Sequence, residues 1–340
     1  MRACVVAIRR LAPIVVVACA ACSGRMPALD PSGPQAARIA TWWWIAFWVS
    51  VVVLALVLAF LLHTLARRRI AAAPASATHD PRVERRLVIG VSAAVGLSAV
   101  TLLVLLVSSI ATGRALHDFG GADPLTVQVT GRQWWWDVEY WDPVPSQRVR
   151  TANEIHIPVG RPVLVKTRSS DVIHSFWVPG LHGKKDNIPG HGSSLVLQAD
   201  RAGTFAGRCA EFCGVQHAHM QLLVIAEPPE VFEAWLQGQR TSAKAPTEGP
   251  ARRGFEVFMS GPCALCHTVL GTPAGGRTGP DLTHLASRRT LAAGTVPNTP
   301  GHLAGWIIDP QGVKPGAQMP ANSFDADDLS ALLAFLGGLS

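Results

Sequence analysis

Cysteine is scarce in this chain of 340 residues, and its distribution argues against a disulfide-stapled protein. The seven cysteines form three groups, at positions 4, 19 and 22, at 209 and 213, and at 263 and 266. No further cysteines remain to build a disulfide framework. Metal binding and cofactor attachment therefore account better for the two close pairs.

Ionisable side chains are absent from the two long hydrophobic runs, 42–62 and 87–110. Such residues inside a membrane span mark proton or ion pathways. His63 follows the first run, at a helix end that suits the membrane interface. We therefore expect no proton or ion pathway within these two runs.

Each hydrophobic run has the roughly 20 apolar residues that cross a membrane as a helix, in keeping with a mean hydropathy of +0.25. Between the runs, arginines at 67–69, 82, 85 and 86 stand against only Asp80 and Glu84. This bias places the connecting loop in the cytoplasm and both chain ends outside. It also accounts for the net charge of +7 without a nucleic-acid partner.

Residues 1–22 predict a signal peptide, because arginines, an apolar run and small residues follow one another there. Cysteine at its end suggests the lipoprotein type, with Cys22 as the preferred lipidated residue and Cys19 as the alternative. An ordinary cleavage site beside incidental cysteines is the other interpretation. A transmembrane hairpin is then expected over 23–112.

From 125 to 226 the pattern changes to short, often alternating runs punctuated by glycine and proline. The expected strands are 125–130, 134–141, 153–157, 163–167, 194–198 and 221–225. Many short strands at this spacing predict an all-β sandwich or barrel. We place this domain at 113–237, closed by an amphipathic stretch within 228–240, and a linker at 238–251.

The segment 209–220 concentrates sulfur and imidazole in one turn-sized stretch: Cys209, Cys213, His217, His219 and Met220. Thiolate, thioether and imidazole favour a soft or borderline metal such as copper over magnesium or calcium. A disulfide and a tetrahedral zinc site are the alternatives. Neither of them uses the methionine.

The pattern Cys-x-Glu-x-Cys-Gly-x-x-His-x-x-Met, with His-Ser-x-x-x-Pro at 174–179, resembles the binuclear copper (CuA) loop of cytochrome c oxidase subunit II. The resemblance implies a cupredoxin Greek-key barrel with copper ligands in loops at one end. Both thiolates would bridge the two coppers, His174 and Met220 would complete one, and His217 and the carbonyl of Glu211 the other. The implied ligand set is His174, Cys209, Glu211, Cys213, His217 and Met220.

The same resemblance assigns roles to three further residues. Trp134, in the aromatic stretch 131–140, would be the point where electrons enter. Asp186 would help to form the contact with subunit I, and the Glu211 carboxylate would bind magnesium or manganese at that interface. Trp135 and Trp136 are better explained as core or interface aromatics, and a solvated turn is the alternative for Asp186.

A second motif, Cys-Ala-Leu-Cys-His at 263–267, is the attachment signature of c-type haem. Cys263 and Cys266 would form the thioethers, and His267 would bind the iron. Met319, in a Gly-x-x-Met-Pro segment that resembles class I cytochromes c, is the preferred second axial ligand. His284 and His302 are its competitors.

Two helical stretches, 253–258 and 325–336, flank this motif, the second with acidic residues at its start and leucines on one face. They predict a small α-helical cytochrome c domain over 252–340. The whole chain thus resembles a cytochrome c oxidase subunit II with a fused C-terminal cytochrome c.

The resemblance implies an electron-transfer subunit of a proton-translocating oxidase that reduces oxygen on subunit I. Its partners would be subunits I and III and a cytochrome c donor, in the bacterial plasma membrane with both redox domains on the outer side. The chief rival is a copper-delivery or thiol assembly factor, which also uses Cys-x3-Cys. That class expects a thioredoxin-like βαβ pattern and no haem.

Overall fold

The computed structural model describes residues 26–70, 80–116 and 124–340. The predicted signal peptide and both candidate lipidation sites, Cys19 and Cys22, lie outside these ranges.

Two long helices form one compact unit, 38–118, which leaves out only the first four residues of the first helix. They are α1 (Pro34–Ile70) and α2 (Pro81–Ala115), and they enclose the predicted spans 42–62 and 87–110. Both are long and apolar enough to cross a membrane, with mean hydropathies of 3.0 and 2.4. Helix α2 starts earlier than its apolar run because Asp80 accepts a hydrogen bond from Arg82 N and Pro81 occupies the first turn.

The second unit contains all the strands and the remaining helices. Ten strands form what we call the β domain: β1 (Leu125–Arg132), β2 (Trp135–Tyr140), β3 (Val149–Ala152), β4 (Glu154–Pro158), β5 (Val163–Ser169), β6 (His174–Trp177), β7 (Lys185–Asn187), β8 (Ser193–Leu197), β9 (Gly203–Cys209) and β10 (Gln221–Glu227). Their order is β3-β2-β1-β5-β8 in one sheet and β4-β10-β9-β6-β7 in the other.

The two sheets bury a shared hydrophobic core. Alternate residues of β1, such as Val127 and Val129, are fully buried beside Trp136 of the same sheet and Phe176 of the other. This alternation is what a strand with one buried face requires. Helix α3 (Pro229–Gln239) covers the core with Phe232.

The C-terminal region, which we call the helical domain, contains α4 (Gly249–Ser260), α5 (Cys263–Cys266), α6 (Pro300–Ile308), α7 (Pro310–Val313) and α8 (Ala326–Gly337). One short hairpin, β11 (Thr290–Leu291) and β12 (Val296–Pro297), interrupts them. The expected architecture is confirmed: two apolar helices, an all-β domain and a helical C-terminal domain.

Helices α4 and α8 cross at Gly254. A Cβ atom at this position would lie 1.9 Å from the carbonyl oxygen of Ala331 on α8. Beside the crossing, Phe258 and Phe335 pack edge to face with centroids 5.5 Å apart. The close approach of the two backbones therefore depends on glycine.

We predict that Gly254→Ala destabilises the α4–α8 pair by roughly 1–3 kcal/mol, because the added methyl group must push the helices apart. We expect the upper part of that range, because the methyl group meets backbone atoms, so the loss exceeds the gain in helix propensity of about 1 kcal/mol. Amide hydrogen exchange of peptides from α4 and α8 measures the change. Gly305→Ala is the matched control, since no atom lies within 4 Å of a Cβ there. Unchanged exchange in Gly254→Ala would refute the close crossing.

Candidate functional site

Strand pairing brings the candidate copper donors together from distant parts of the chain. His174 is the first residue of β6 and Cys209 the last of β9, and these strands pair with Phe176 opposite Cys209. The backbone N–H of Cys209 also donates to Met220 O at 2.9 Å. The three donors therefore meet at one end of the second sheet.

The two thiols lie at the centre of this donor cluster, with Sγ atoms 3.8 Å apart. Cys209 Sγ lies 3.9 Å from His174 Nδ1 and 3.1 Å from Glu211 O. Cys213 Sγ lies 3.7 Å from His217 Nδ1 and 3.9 Å from Met220 Sδ. Every candidate donor from the motif thus contacts one of the two sulfur atoms.

The donor set fits a soft metal. Cys209, Cys213, His174 and Met220 are all at most 3% exposed, and the donor atoms of the first three lie within 4.8 Å of one another. Thiolate, imidazole and thioether in a water-poor site suit copper, and they do not suit magnesium or calcium.

The contact between the two thiols shifts their pKa values in opposite directions. The hydrogen bond with Cys213 lowers the pKa of Cys209, and the same contact, together with burial, raises the pKa of Cys213. Burial lowers the pKa of His174, but its contacts with Cys209 and Asp171 outweigh burial and leave that pKa raised. A bound metal would displace protons from the thiols that bind it.

Asp171 is a candidate positioning residue that the sequence motif did not reveal. Its Oδ1 lies 2.7 Å from His174 Nε2, and its Oδ2 accepts a hydrogen bond from Gln133 N at 2.7 Å. With Nε2–H bonded to the carboxylate, the Nδ1 lone pair of His174 points towards Cys209. The only local sequence sign is an Asp three residues before the histidine.

Gly131 makes room for this imidazole. A Cβ atom there would lie 2.6 Å from Cδ2 of His174. We call residues 209–220 the copper loop. Two side chains that follow Gly131 reach this loop, since Gln133 Nε2 and Trp134 Nε1 donate to Cys213 O at 2.7 and 2.9 Å. Trp134, the predicted point of electron entry, therefore contacts the copper loop directly.

The neighbouring tryptophans differ in role. Trp136 is fully buried and lies edge to face with Phe176, as expected for a core aromatic. Trp135 is partly exposed and stacks under the guanidinium of Arg132.

A mostly apolar cavity of about 210 Å³ lies in the helical domain and reaches the β domain. Its lining includes Cys263, Cys266, His267 and Met319, the four residues of the haem prediction. Trp134 of the β domain lines the same cavity. Trp134 therefore contacts both the copper loop and the haem cavity.

The residues around the cavity fit a haem. Nδ1–H of His267 donates to Pro280 O at 2.7 Å, which leaves Nε2 free as a ligand. A Cβ at Gly279 would lie 2.6 Å from the His267 ring, so glycine lets the loop press against the imidazole. Burial lowers the pKa of the cavity-lining Arg288, whose buried Nε has no partner among the described residues. That unpaired N–H suits the anionic edge of a haem, and sequence reasoning missed it.

The competing ligands lie elsewhere. His284 Nε2 pairs with Thr241 O at 3.1 Å, and His302 Nδ1 pairs with Thr299 Oγ1 at 2.7 Å. Neither histidine lines the cavity. Of the three candidates for the second axial ligand, Met319 is therefore the one that lines the cavity.

The candidate subunit-interface residues form a small charged group. Lys184 Nζ lies 3.2 Å from Asp186 Oδ1 and 3.8 Å from Glu211 Oε2. The hydrogen bond from Ser175 lowers the pKa of Asp186. The two carboxylates thus share one lysine in this chain.

The β domain with its soft donor cluster and the helical domain with its Cys-x-x-Cys-His cavity together define a membrane-anchored electron-transfer protein. Residues 142–227 match the family model for the cytochrome c oxidase subunit II periplasmic domain, and residues 251–340 match that for cytochrome c. Cytochrome c oxidase subunit 2 of Alkalihalophilus pseudofirmus is 32% identical over 92% of this chain and 91% of its own length. The chain belongs to the cytochrome c oxidase subunit 2 family.

Two further relatives illustrate the range of similarity. Cytochrome c oxidase subunit 2 of Bacillus sp. PS3 is 30% identical over 71% of each chain. The crystal structure of the periplasmic domain of cytochrome oxidase subunit II from Bradyrhizobium japonicum is 28% identical, covers 36% of this chain and 96% of its own, and gives a TM-score of 0.33.

Family membership confirms the resemblance drawn from the motifs. The chain is an electron-transfer subunit of an oxidoreductase and a membrane protein with two candidate spans. The subunit II domain implies copper, the cytochrome c domain implies haem, and membership implies a subunit I partner.

We predict that Asp171→Asn lowers the copper affinity of the full chain by about 10- to 100-fold, because a neutral amide orients the His174 ring less well. Competitive titration of copper against a chelator measures it. Asp200→Asn, at an exposed position of the same domain, is the control and should bind as the wild type does. Equal affinities for both variants would exclude a role for Asp171.

Proposed function

We propose that this chain receives electrons from a cytochrome c at its own covalent haem c and delivers them through a binuclear copper centre to the haem of subunit I, where oxygen is reduced to water. The observation that supports this proposal is the position of Trp134. Trp134 is one of the residues that line the haem cavity, and its Nε1–H donates to the carbonyl of Cys213.

Copper held here would supply a reversible one-electron centre. Cys209 and Cys213 would bridge two ions, with His174, Met220, His217 and the Glu211 carbonyl as the remaining ligands. The chain contributes rigidity, because two strand ends and Asp171 hold His174 and Cys209 in place. Burial of the thiols also excludes water from the site.

Haem held in the cavity would be attached through Cys263 and Cys266 and bound by His267 and Met319. Pro280 O fixes the tautomer of His267. Arg288 would offset negative charge at the edge of the haem. A histidine–methionine pair favours a high reduction potential.

The membrane arrangement follows from the charge pattern. We propose a signal peptide at 1–22, a hairpin over 23–112 with its loop in the cytoplasm, and the redox domains, 113–237 and 252–340, outside the plasma membrane. A subunit III and an interface magnesium or manganese at Glu211 complete the proposal. Such an ion would have to displace Lys184 from the two carboxylates.

Electron paramagnetic resonance of the purified oxidase tests the copper assignment. We expect the hyperfine pattern of one electron shared equally over two copper nuclei. Cys213→Ser should abolish this pattern because it removes one bridge, whereas the exposed His191→Ala should leave it unchanged. A spectrum of one isolated copper, or zinc in its place, would contradict the proposal and favour the copper-delivery alternative.

A further inference from the structure

Lys314 is buried at the boundary between the two domains, with only 3% of its surface exposed. It follows α7 and precedes Met319 by five residues. Its ammonium donates to Trp134 O at 2.7 Å and His219 O at 2.8 Å in the β domain, and to Ala292 O at 3.1 Å in the helical domain. One side chain thus joins both domains.

This lysine has carbonyl partners and no acidic ones. Within the described ranges, no ion pair involves Lys314. Burial lowers its pKa to about 7. Its electrostatic interaction with Cys213 opposes that shift, and the three carbonyls favour the ammonium because a neutral amine would turn its lone pair towards one of them.

The carbonyls depend on the lysine in turn. Ala292 O has a second donor, Thr295 Oγ1. For Trp134 O and His219 O, Lys314 is the donor that the described part of the chain provides. An apolar side chain at 314 would remove this donor from both carbonyl groups and so cost two hydrogen bonds across the boundary.

Two further contacts surround this lysine. Gln216 Nε2 of the copper loop donates to Pro315 O at 2.6 Å. At Gly316, a Cβ atom would lie 2.9 Å from Val215 of the same loop. The segment 314–316 therefore fits against the copper loop closely.

A second interdomain anchor lies on β4. The buried Glu154 carboxylate accepts hydrogen bonds from Arg289 N at 2.8 Å and Thr290 N at 3.0 Å. Anchors on two sides of the boundary favour a single docked arrangement over a loosely tethered one.

We propose that Lys314 is a positioning residue that locks the haem cavity against Trp134 and thereby sets the rate of electron transfer between the two centres. This inference rests on the proposed function for its kinetic consequence. We call the set of contacts that Lys314 makes across the domain boundary the lock. The lock is a property of the chain and can be measured without a signal from either cofactor.

Lysine acylation of the intact oxidase, read by peptide mass spectrometry, tests the lock. Lys244 lies exposed in the segment between the domains and serves as the internal reference. In the wild type, Lys314 should react far more slowly than Lys244. Gln216→Ala should accelerate labelling of Lys314 by up to about tenfold, because it removes one hydrogen bond across the boundary. Labelling of both lysines at one rate in the wild type would overturn the proposal.

The kinetic role is tested with Lys314→Met, Lys314→Arg and the matched control Lys244→Met. The readout is the rate at which an electron redistributes from photoreduced haem to copper. Lys314→Met should shift the docking equilibrium by roughly 10- to 100-fold and slow the redistribution. Lys314→Arg, which keeps charge and donors, should restore most of the rate, and Lys244→Met should match the wild type.

The outcomes distinguish the existence of the lock from its effect on the rate of electron transfer. Wild-type redistribution in Lys314→Met, with both cofactors intact, would overturn the positioning role. If Lys314→Met fails to fold, the labelling of the wild type and of Gln216→Ala still decides whether the lock exists. Slow acylation of Lys314 in a protein whose electron paramagnetic resonance spectrum shows no binuclear copper would support the lock and refute the proposed function.

Discussion

The pairing of β6 with β9 is the constraint on which the copper site depends. His174 lies 35 residues before Cys209 in the sequence, yet the register that sets Phe176 opposite Cys209 brings the imidazole to the thiols. A slip of one residue would turn the histidine to the other face of the sheet. The donors are therefore positioned by a backbone ladder rather than by the copper loop alone.

The segment 131–135 couples this site to the rest of the molecule. Gly131 admits the His174 ring, Gln133 and Trp134 bond to the carbonyl of Cys213, and the Trp134 carbonyl receives Lys314. The segment between the domains is also tied down, since Ala243 N donates to Leu270 O at 2.9 Å. Donor cluster and cavity thus form parts of one arrangement, and a tethered, docked donor acts at high effective concentration.

Sequence patterns could predict the three-part architecture and the candidate donor residues that the fold brings together, because those depend on hydropathy and on motifs with specific chemistry. They missed β3, β6, β7 and β9, because the first three have only three or four residues and β9 contains two glycines and an arginine. They also underestimated the lengths of α1 and α2, because hydropathy identifies the part of a helix that crosses the hydrocarbon and not its polar ends. Asp171, Arg288 and Lys314 could not be predicted, because their partners lie elsewhere in the chain and appear only after folding.

The central claim is that haem and copper exchange electrons within one molecule. The most direct test is the dilution dependence of electron redistribution after photoreduction of the haem in the purified full chain. The account predicts a first-order rate that does not change as the protein is diluted. A rate that falls in proportion to protein concentration would show transfer between molecules and contradict the account.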